Sequence, residues 1–458
     1  MKTSKYLIGL SLFATSLLLS SCGNFFDEKS NSNLPSDAAI TDAGTARAAI
    51  IGAYDEVQNY YSSYTTLGTI TADNVVFNGS LSQYLQLDQV SIPVDNVVTV
   101  AAYQGIYQAI NSANTVIALV PSVNDPVLTT TEKNKILGEA YFIRALGYFD
   151  LGRGWGGVQL RLTPTKDIAS LKGVKRSTLD QTYDQVLADL TKAEQLLPDA
   201  TASDSNLRNR AQKASVRALR ARLHLYRQQW SDAENYASQV IAETTKYNLV
   251  SPYKAFFTAP YLTSESVLEL TFSANDKNGF WNLWYLSNLG GQYTLKPSDS
   301  FVAKVKNPTI GGTRSALVAG TSPNVYGVLY NSTAGADPFY LIRIAELYLI
   351  RAEAKAHLGD DVTVAGKNKL AEALQDLNVV RNRAGLANST ATTQADILTA
   401  IENENNIEFA FEAHRWFDLV RTKKVGIVLG VTNTNLWLFP IPGSDILSDP
   451  DVTQNTGY

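Results

Sequence analysis

One cysteine, one methionine and three histidines in 458 residues leave whole classes of chemistry without reagents. A lone cysteine permits no internal disulfide, so stability must come from the size of the core. His224, His357 and His414 stand far apart, without metal-ligand spacing, and no Gly-x-Ser-x-Gly elbow accompanies them. No catalytic residue, metal or cofactor is assigned. Positive charge is in short supply as well. The 39 Lys and Arg against 43 Asp and Glu give a formal net charge of −4, which argues against nucleic acid or an anionic lipid surface as a main partner. Beyond the amino-terminal segment no apolar run reaches the roughly 20 residues that a membrane-spanning helix needs.

The one cysteine sits in an informative place. Lys2 and Lys5, an apolar run from Tyr6 to Leu19 and then Ser20-Ser21-Cys22 form a charged start, an h-region too short to span a bilayer and a small-residue cleavage site. Residues 1–21 therefore read as a signal peptide. Cys22, directly behind the small residues, has the form of a bacterial lipobox, which makes its thiol the expected point of lipid attachment. Residues 22–42, rich in Ser, Asn and Asp, read as a lipidated tether. Loss of Lys2 and Lys5 takes the formal charge to −6.

What the chain has in abundance is alanine and leucine at helical spacing. Ala211, Ala214, Ala218, Ala221 and Leu225 recur at steps of three and four, and after Gln228-Gln229-Trp230 a second helix resumes with Ala233, Ala237, Val240 and Ile241, with Ser231 as its expected N-cap. A helix, a turn at an aromatic residue and a second Ala-rich helix resemble a tetratricopeptide repeat, whose units must stack to bury their faces. Ala46, Ile50, Ala53 and Val57 predict another helix, as do Tyr103, Ile106, Ile110, Ala113 and Ile117. Further helices are expected at 131–151, 176–197, 341–358, around Leu370 to Ala384, and from Ala395 to Arg415. Residues 43–458 read as one mostly α domain.

Two stretches interrupt the helices. Gly152 to Gly157 matches the three-glycine dinucleotide fingerprint literally, but it follows a helix where that fingerprint needs a strand, so it reads as a helix stop. Between about 247 and 336 periodicity fails and short strand-like pieces such as Val267 to Phe272 alternate with Gly, Asn, Ser and Pro. An insertion of that length points to function. It contains Asn278-Gly279-Phe280-Trp281-Asn282-Leu283-Trp284-Tyr285, a density of rings and amides suited to stacking on sugar faces and bonding their hydroxyls. Trp281, Trp284, Tyr285 and Asn278 are therefore candidate ligand contacts, with anchoring of the insertion to the core as the alternative for each. Tyr84, with Gln83 and Gln86 in an earlier loop, is a fifth candidate. Trp155, Trp230 and Trp416 are expected in the core. The stripe Arg210, Lys213, Arg217, Arg220 and Arg227 reads either as an anion-binding patch or as a row paired with neighbouring carboxylates.

The lipobox followed by Phe25-Phe26-Asp27, the strings at 138–160, 343–360, 377–386 and 407–422, and the ending FPIP…QNTGY at 439–458 together resemble the SusD/RagB family of starch-utilisation-type nutrient-binding lipoproteins. The resemblance runs the length of the chain, departing from the pattern at scaffold positions such as Asn405 and His414. It implies four tetratricopeptide-like hairpins scaffolding a loop-rich face, a lipid anchor on the outer surface of the outer membrane, and a TonB-dependent β-barrel transporter as partner. Glycans, or in some members peptides, are the implied ligand, and the family's variable loops carry no binding residue over. A peptide-binding repeat scaffold and a surface glycosidase are the other readings the sequence leaves open.

Overall fold

Small residues at inner positions set how closely the helices approach. The computed structural model describes residues 40–167, 172–199, 208–359 and 368–458; the signal peptide, Cys22 and most of the tether lie outside the described residues. Ile40, the first described residue, is buried, and Asp42 caps α1 (Ala43–Ile70). Asp42 accepts from the Thr45 backbone N–H at 2.8 Å, and Thr45 Oγ1 accepts from the Asp42 N–H at 3.0 Å, a reciprocal cap. Ala46, Ile50, Ala53 and Val57 face inward as their spacing predicts.

After β1 (Val75–Phe77) and a short α2 (Ser82–Asp88), α3 (Val97–Leu119) packs along α1. At Gly105 a Cβ would stand 2.7 Å from that of Tyr60, so only glycine allows this approach. The same pairing recurs between α4 (Thr130–Trp155) and α5 (Leu179–Leu196), and between α6 (Lys213–Tyr226) and α7 (Trp230–Ile241). The insertion follows, with β2 (Ser266–Leu270), α8 (Trp281–Trp284), β3 (Leu295–Pro297), α9 (Asp299–Lys306), β4 (Val318–Ala319), β5 (Tyr326–Gly327) and β6 (Phe339–Arg343). A fourth helical pair, α10 (Ile344–Leu358) and α11 (Lys369–Arg383), packs against α7 and so continues the stack. The chain closes with α12 (Gln394–Glu408), α13 (Arg415–Arg421), α14 (Val425–Leu429) and α15 (Gly443–Ser448). The fold is thus mostly α, with tetratricopeptide-like hairpins around a loop-rich insertion.

Several boundaries differ from the sequence reading. Residues 341–343 belong to β6, which pairs antiparallel with β2 and is buried throughout, and its apolar run Phe339-Tyr340-Leu341-Ile342 is too short to tell a strand from a buried helix by periodicity. The last long helix stops at Glu408, because Phe411 and Ala413 take positive φ of 71° and 62° before α13 begins. Thr129 caps α4, which starts one residue ahead of the expected 131, and Gln229 stands at the N-cap of α7 in place of Ser231. Gly152 to Trp155 form the last turn of α4, which ends at Gly156, so no phosphate-binding loop exists there.

Two devices fix the insertion and the tail to the scaffold. Arg343, at the end of β6, bonds Glu265 at 2.6 Å, Glu408 at 2.9 Å and Glu412 at 2.7 Å, while Arg314 of the insertion lies fully buried against Glu404. Removing one partner of such a buried cluster costs on the order of 3–5 kcal/mol. At the other end, Trp155 donates its indole N–H to the Pro440 carbonyl at 2.9 Å, the Phe439 N–H donates to the Gly154 carbonyl at 2.8 Å, and Asn455 Nδ2 donates to the carbonyls of Trp155 and Phe439.

Candidate functional site

Antiparallel pairing of β1 with β3 sets Val75 opposite Pro297 and Phe77 opposite Leu295, which brings the early Tyr84 segment beside the insertion. Asn78 extends the join, its N–H donating to the Thr294 carbonyl at 2.8 Å and its Nδ2 to the Tyr293 carbonyl at 2.9 Å. Tyr84 lies on α2 instead of in an irregular loop, and its ring stacks on Phe77 at 6.2 Å. Asn96, the N-cap of α3, steadies α2 by donating to the Gln83 carbonyl and to Gln86 Oε1. Tyr84 is half-buried, and burial raises its hydroxyl above the ordinary range.

On the other side of β3, the single turn α8 separates its residues by direction. Trp284 points inward and is 1% exposed, its ring 4.5 Å from that of Phe411. Gly327 is required beneath it, since a Cβ there would come within 2.7 Å of the indole. Asn278 is buried too, accepting from the Phe280 N–H at 2.9 Å and donating to the Asp337 carbonyl at 2.9 Å, while Phe280 packs on Tyr330 and Phe339. Trp284 and Asn278 therefore offer no surface to a ligand. They take the anchoring role, and their place among the contacts is corrected accordingly.

Trp281 and Tyr285, four residues apart, share the outward side and meet edge to face at 5.8 Å. Tyr285 meets Tyr326 of β5 at 5.0 Å, so three half-buried rings form one cluster. Burial pushes the Tyr285 hydroxyl up to about 12, with Tyr326 and Asp337 adding to it, and it stays protonated in any physiological medium. The hydroxyls of Tyr285 and Tyr326, the indole N–H of Trp281 and the side chain of Asn282 make no hydrogen bond among the described residues. Tyr293 frames the edge by donating to the Val325 carbonyl at 2.8 Å. Flat apolar faces beside unpaired donors and acceptors, on a turn nailed down by Trp284, can stack a ring and bond its hydroxyls without reorganising. Tyr326 escaped the sequence reading because nothing near it in sequence is aromatic-rich; only the β4–β5 pairing delivers it.

The remaining sequence candidates resolve into structure. The basic stripe is paired, Arg210 with Glu139, Arg217 and Arg220 with Glu194, Arg227 with Asp184 and Lys213 with Asp199. Trp155 and Trp416 are fully buried, whereas Trp230 is partly exposed and stacks on His357 at 3.9 Å. His224 meets Gln229 and Tyr236, and His414 is half-buried, stacked on Phe409, with its pKa depressed by desolvation and neighbouring arginines. Asp73 pairs with Arg415 and Asn74 donates to the Asn406 carbonyl, both within the scaffold. No helix among the described residues is long and apolar enough to cross a membrane.

Comparison with known proteins gives two family matches, one described as "Starch-binding associating with outer membrane" over residues 24–225, the other as the SusD family over residues 316–430. SusD-like protein P38 of Formosa agariphila is 24% identical over 96% of both chains. A SusD-like protein of Bacteroides ovatus is 24% identical over 90% of this chain and 81% of its own. Among solved structures, a SusD superfamily protein of Bacteroides vulgatus superposes with a TM-score of 0.77 at 19% identity, over 91% of this chain and 99% of that one. Surface glycan-binding protein A of Bacteroides thetaiotaomicron, solved with laminarihexaose, gives a TM-score of 0.74 at 19% identity over 91% of this chain and 100% of its own. At those identities the structural likeness is one of fold, and it agrees with the family matches at both ends of the sequence. The chain belongs to the SusD/RagB family.

Proposed function

We propose that this protein is a cell-surface lipoprotein, anchored through Cys22, that binds oligo- or polysaccharide on the Trp281–Tyr285–Tyr326 cluster and passes it to a TonB-dependent β-barrel transporter in the outer membrane. The observation that carries the reading is the cluster itself: three half-buried rings with unpaired polar tips, set on a turn whose neighbour Trp284 is locked in the core. Tyr84, stacked on Phe77 of the β1–β3 pair, is a further ring the ligand would meet. Relatives whose names record laminarin or laminarihexaose make glucans the first ligands to try. The protein retains its ligand without turning it over.

Calorimetry with laminarihexaose, maltohexaose, cellohexaose and xylohexaose tests this. Trp281→Ala and Tyr285→Ala should each weaken binding of the retained saccharide by roughly 1–3 kcal/mol, with unchanged helix content. Full affinity in both variants would move the site elsewhere, and recovery of shortened saccharide after incubation would show an enzyme.

A further inference from the structure

A second concavity is lined by α3, by Gln159, Arg161, Thr165 and Lys172, and by residues from 445–452, none of which belongs to the aromatic cluster. It encloses about 430 Å³, within the range of small-molecule sites. One wall is α3, which carries no charged residue in 23 positions. Gln104, Tyr107, Gln108 and Asn111 line it at helical spacing, covering about 10 Å along the axis. Solvent-facing helix stripes are ordinarily charged, so a row of amides and a tyrosine facing a hollow needs another explanation.

The opposite wall is rigid. Tyr107 donates to the Gln159 carbonyl at 2.9 Å, Asn111 Oδ1 accepts from the Thr165 N–H at 2.8 Å, and Asn114 donates to the Arg161 carbonyl at 2.9 Å. Asp449 accepts from Gln159 Nε2 at 3.0 Å and from Arg161 at 3.1 Å, which neutralises that arginine, while Lys172 stands further along the lining. Several groups are left over. Gln108 makes no side-chain hydrogen bond among the described residues, Asn111 Nδ2 has no partner there, and Gln104 donates to Asp445 at 2.9 Å with its own carbonyl oxygen unused.

We infer that this groove is a second, independent binding site for a short neutral saccharide, its hydroxyls taken by the amides of Gln104, Gln108 and Asn111 and a sugar face by Tyr107. Unpaired amides supply both donors and acceptors, as hydroxyl groups require. The Asp445 carboxylate, which accepts only from the neutral Gln104 and Ser444 side chains among the described residues, disfavours an anionic ligand, and the pairing of Arg161 with Asp449 points the same way. The inference rests on the proposed function only for its ligand class, since the two sites share no residue.

The test uses the full chain and the same four hexasaccharides, in wild type and in a Trp281→Ala/Tyr285→Ala background. Binding of at least one probe should persist in that background. Adding Gln104→Ala/Gln108→Ala should weaken it about tenfold, on the scale of two lost hydrogen bonds, and Gln108→Trp, which fills the groove, should do at least as much. Both glutamines are exposed, so the variants should fold. Unchanged affinity in the groove variants, or no binding by any probe, overturns the second site. Loss of binding in the groove variants together with indifference to the ring substitutions would keep it and overturn the aromatic site instead.

Discussion

Trp281 and Trp284 stand within one helical turn and serve opposite ends. Trp284→Ala should open a cavity against Phe411 and Gly327 and cost about 3–5 kcal/mol in denaturant unfolding, whereas Trp281→Ala should leave the unfolding midpoint nearly unchanged. Equal losses in the two variants would mean that both rings hold the insertion. Glu269 offers a second test. Buried in β2, it accepts from the Leu262 N–H and from Ser266 Oγ, and burial pushes its carboxyl up to about 7. Between its unfolded value near 4.5 and about 7 the folded protein holds a proton that the unfolded chain has released, so this group's stabilisation is full below about 4.5 and lost as pH rises to about 7. Glu269→Gln should reduce the drop in stability between pH 4.5 and 8 by up to about 3 kcal/mol relative to wild type, measured by urea melts at each pH. An identical drop in both proteins would place the proton elsewhere. Sequence alone could not separate the two tryptophans, since the partners that decide their burial, Phe411 and Gly327, lie in distant segments. The density of rings from 278 to 285 did mark the right stretch, while Tyr326 had no signal of its own.

Helices were the most legible elements, because an inward row repeating at three and four residues survives any choice of cap. Ala218 and Ala373 are both fully buried in such rows. Ala218→Leu and Ala373→Leu should each destabilise by about 1–3 kcal/mol through overpacking, and unchanged midpoints would mean a looser interface than the structure shows. The elements that were misread fail for stated reasons. Phe339 to Ile342 are apolar without a break before Arg343, so neither a period of two nor one of 3.6 emerges, and only pairing with β2 makes the segment a strand. The break after Glu408 depends on two positive-φ residues that are not glycine, a conformation sequence does not announce. The β1–β3 pair unites segments more than two hundred positions apart, which is why Tyr84 could be suspected but not placed.

For the whole molecule, the amino-terminal reading makes a clean prediction because none of the contacts among the described residues, which begin at Ile40, involves Cys22. Cys22→Ala should move the protein from the membrane fraction to the soluble fraction with an unchanged circular dichroism spectrum. Retention on the membrane after signal removal would end the lipoprotein proposal. The closing contacts of the tail carry a different consequence. Trp155 bonds Pro440 across 285 positions and Asn455 bonds Trp155 across 300, so the wall of the second helical pair is completed by residues far downstream of it. A chain that breaks off before Phe439 leaves the end of α4 open to water and presents a large aromatic surface to any protease or chaperone that samples it. The end of α4 is therefore a buried surface only in a chain that has extended past residue 455, and its exposure marks one that has not.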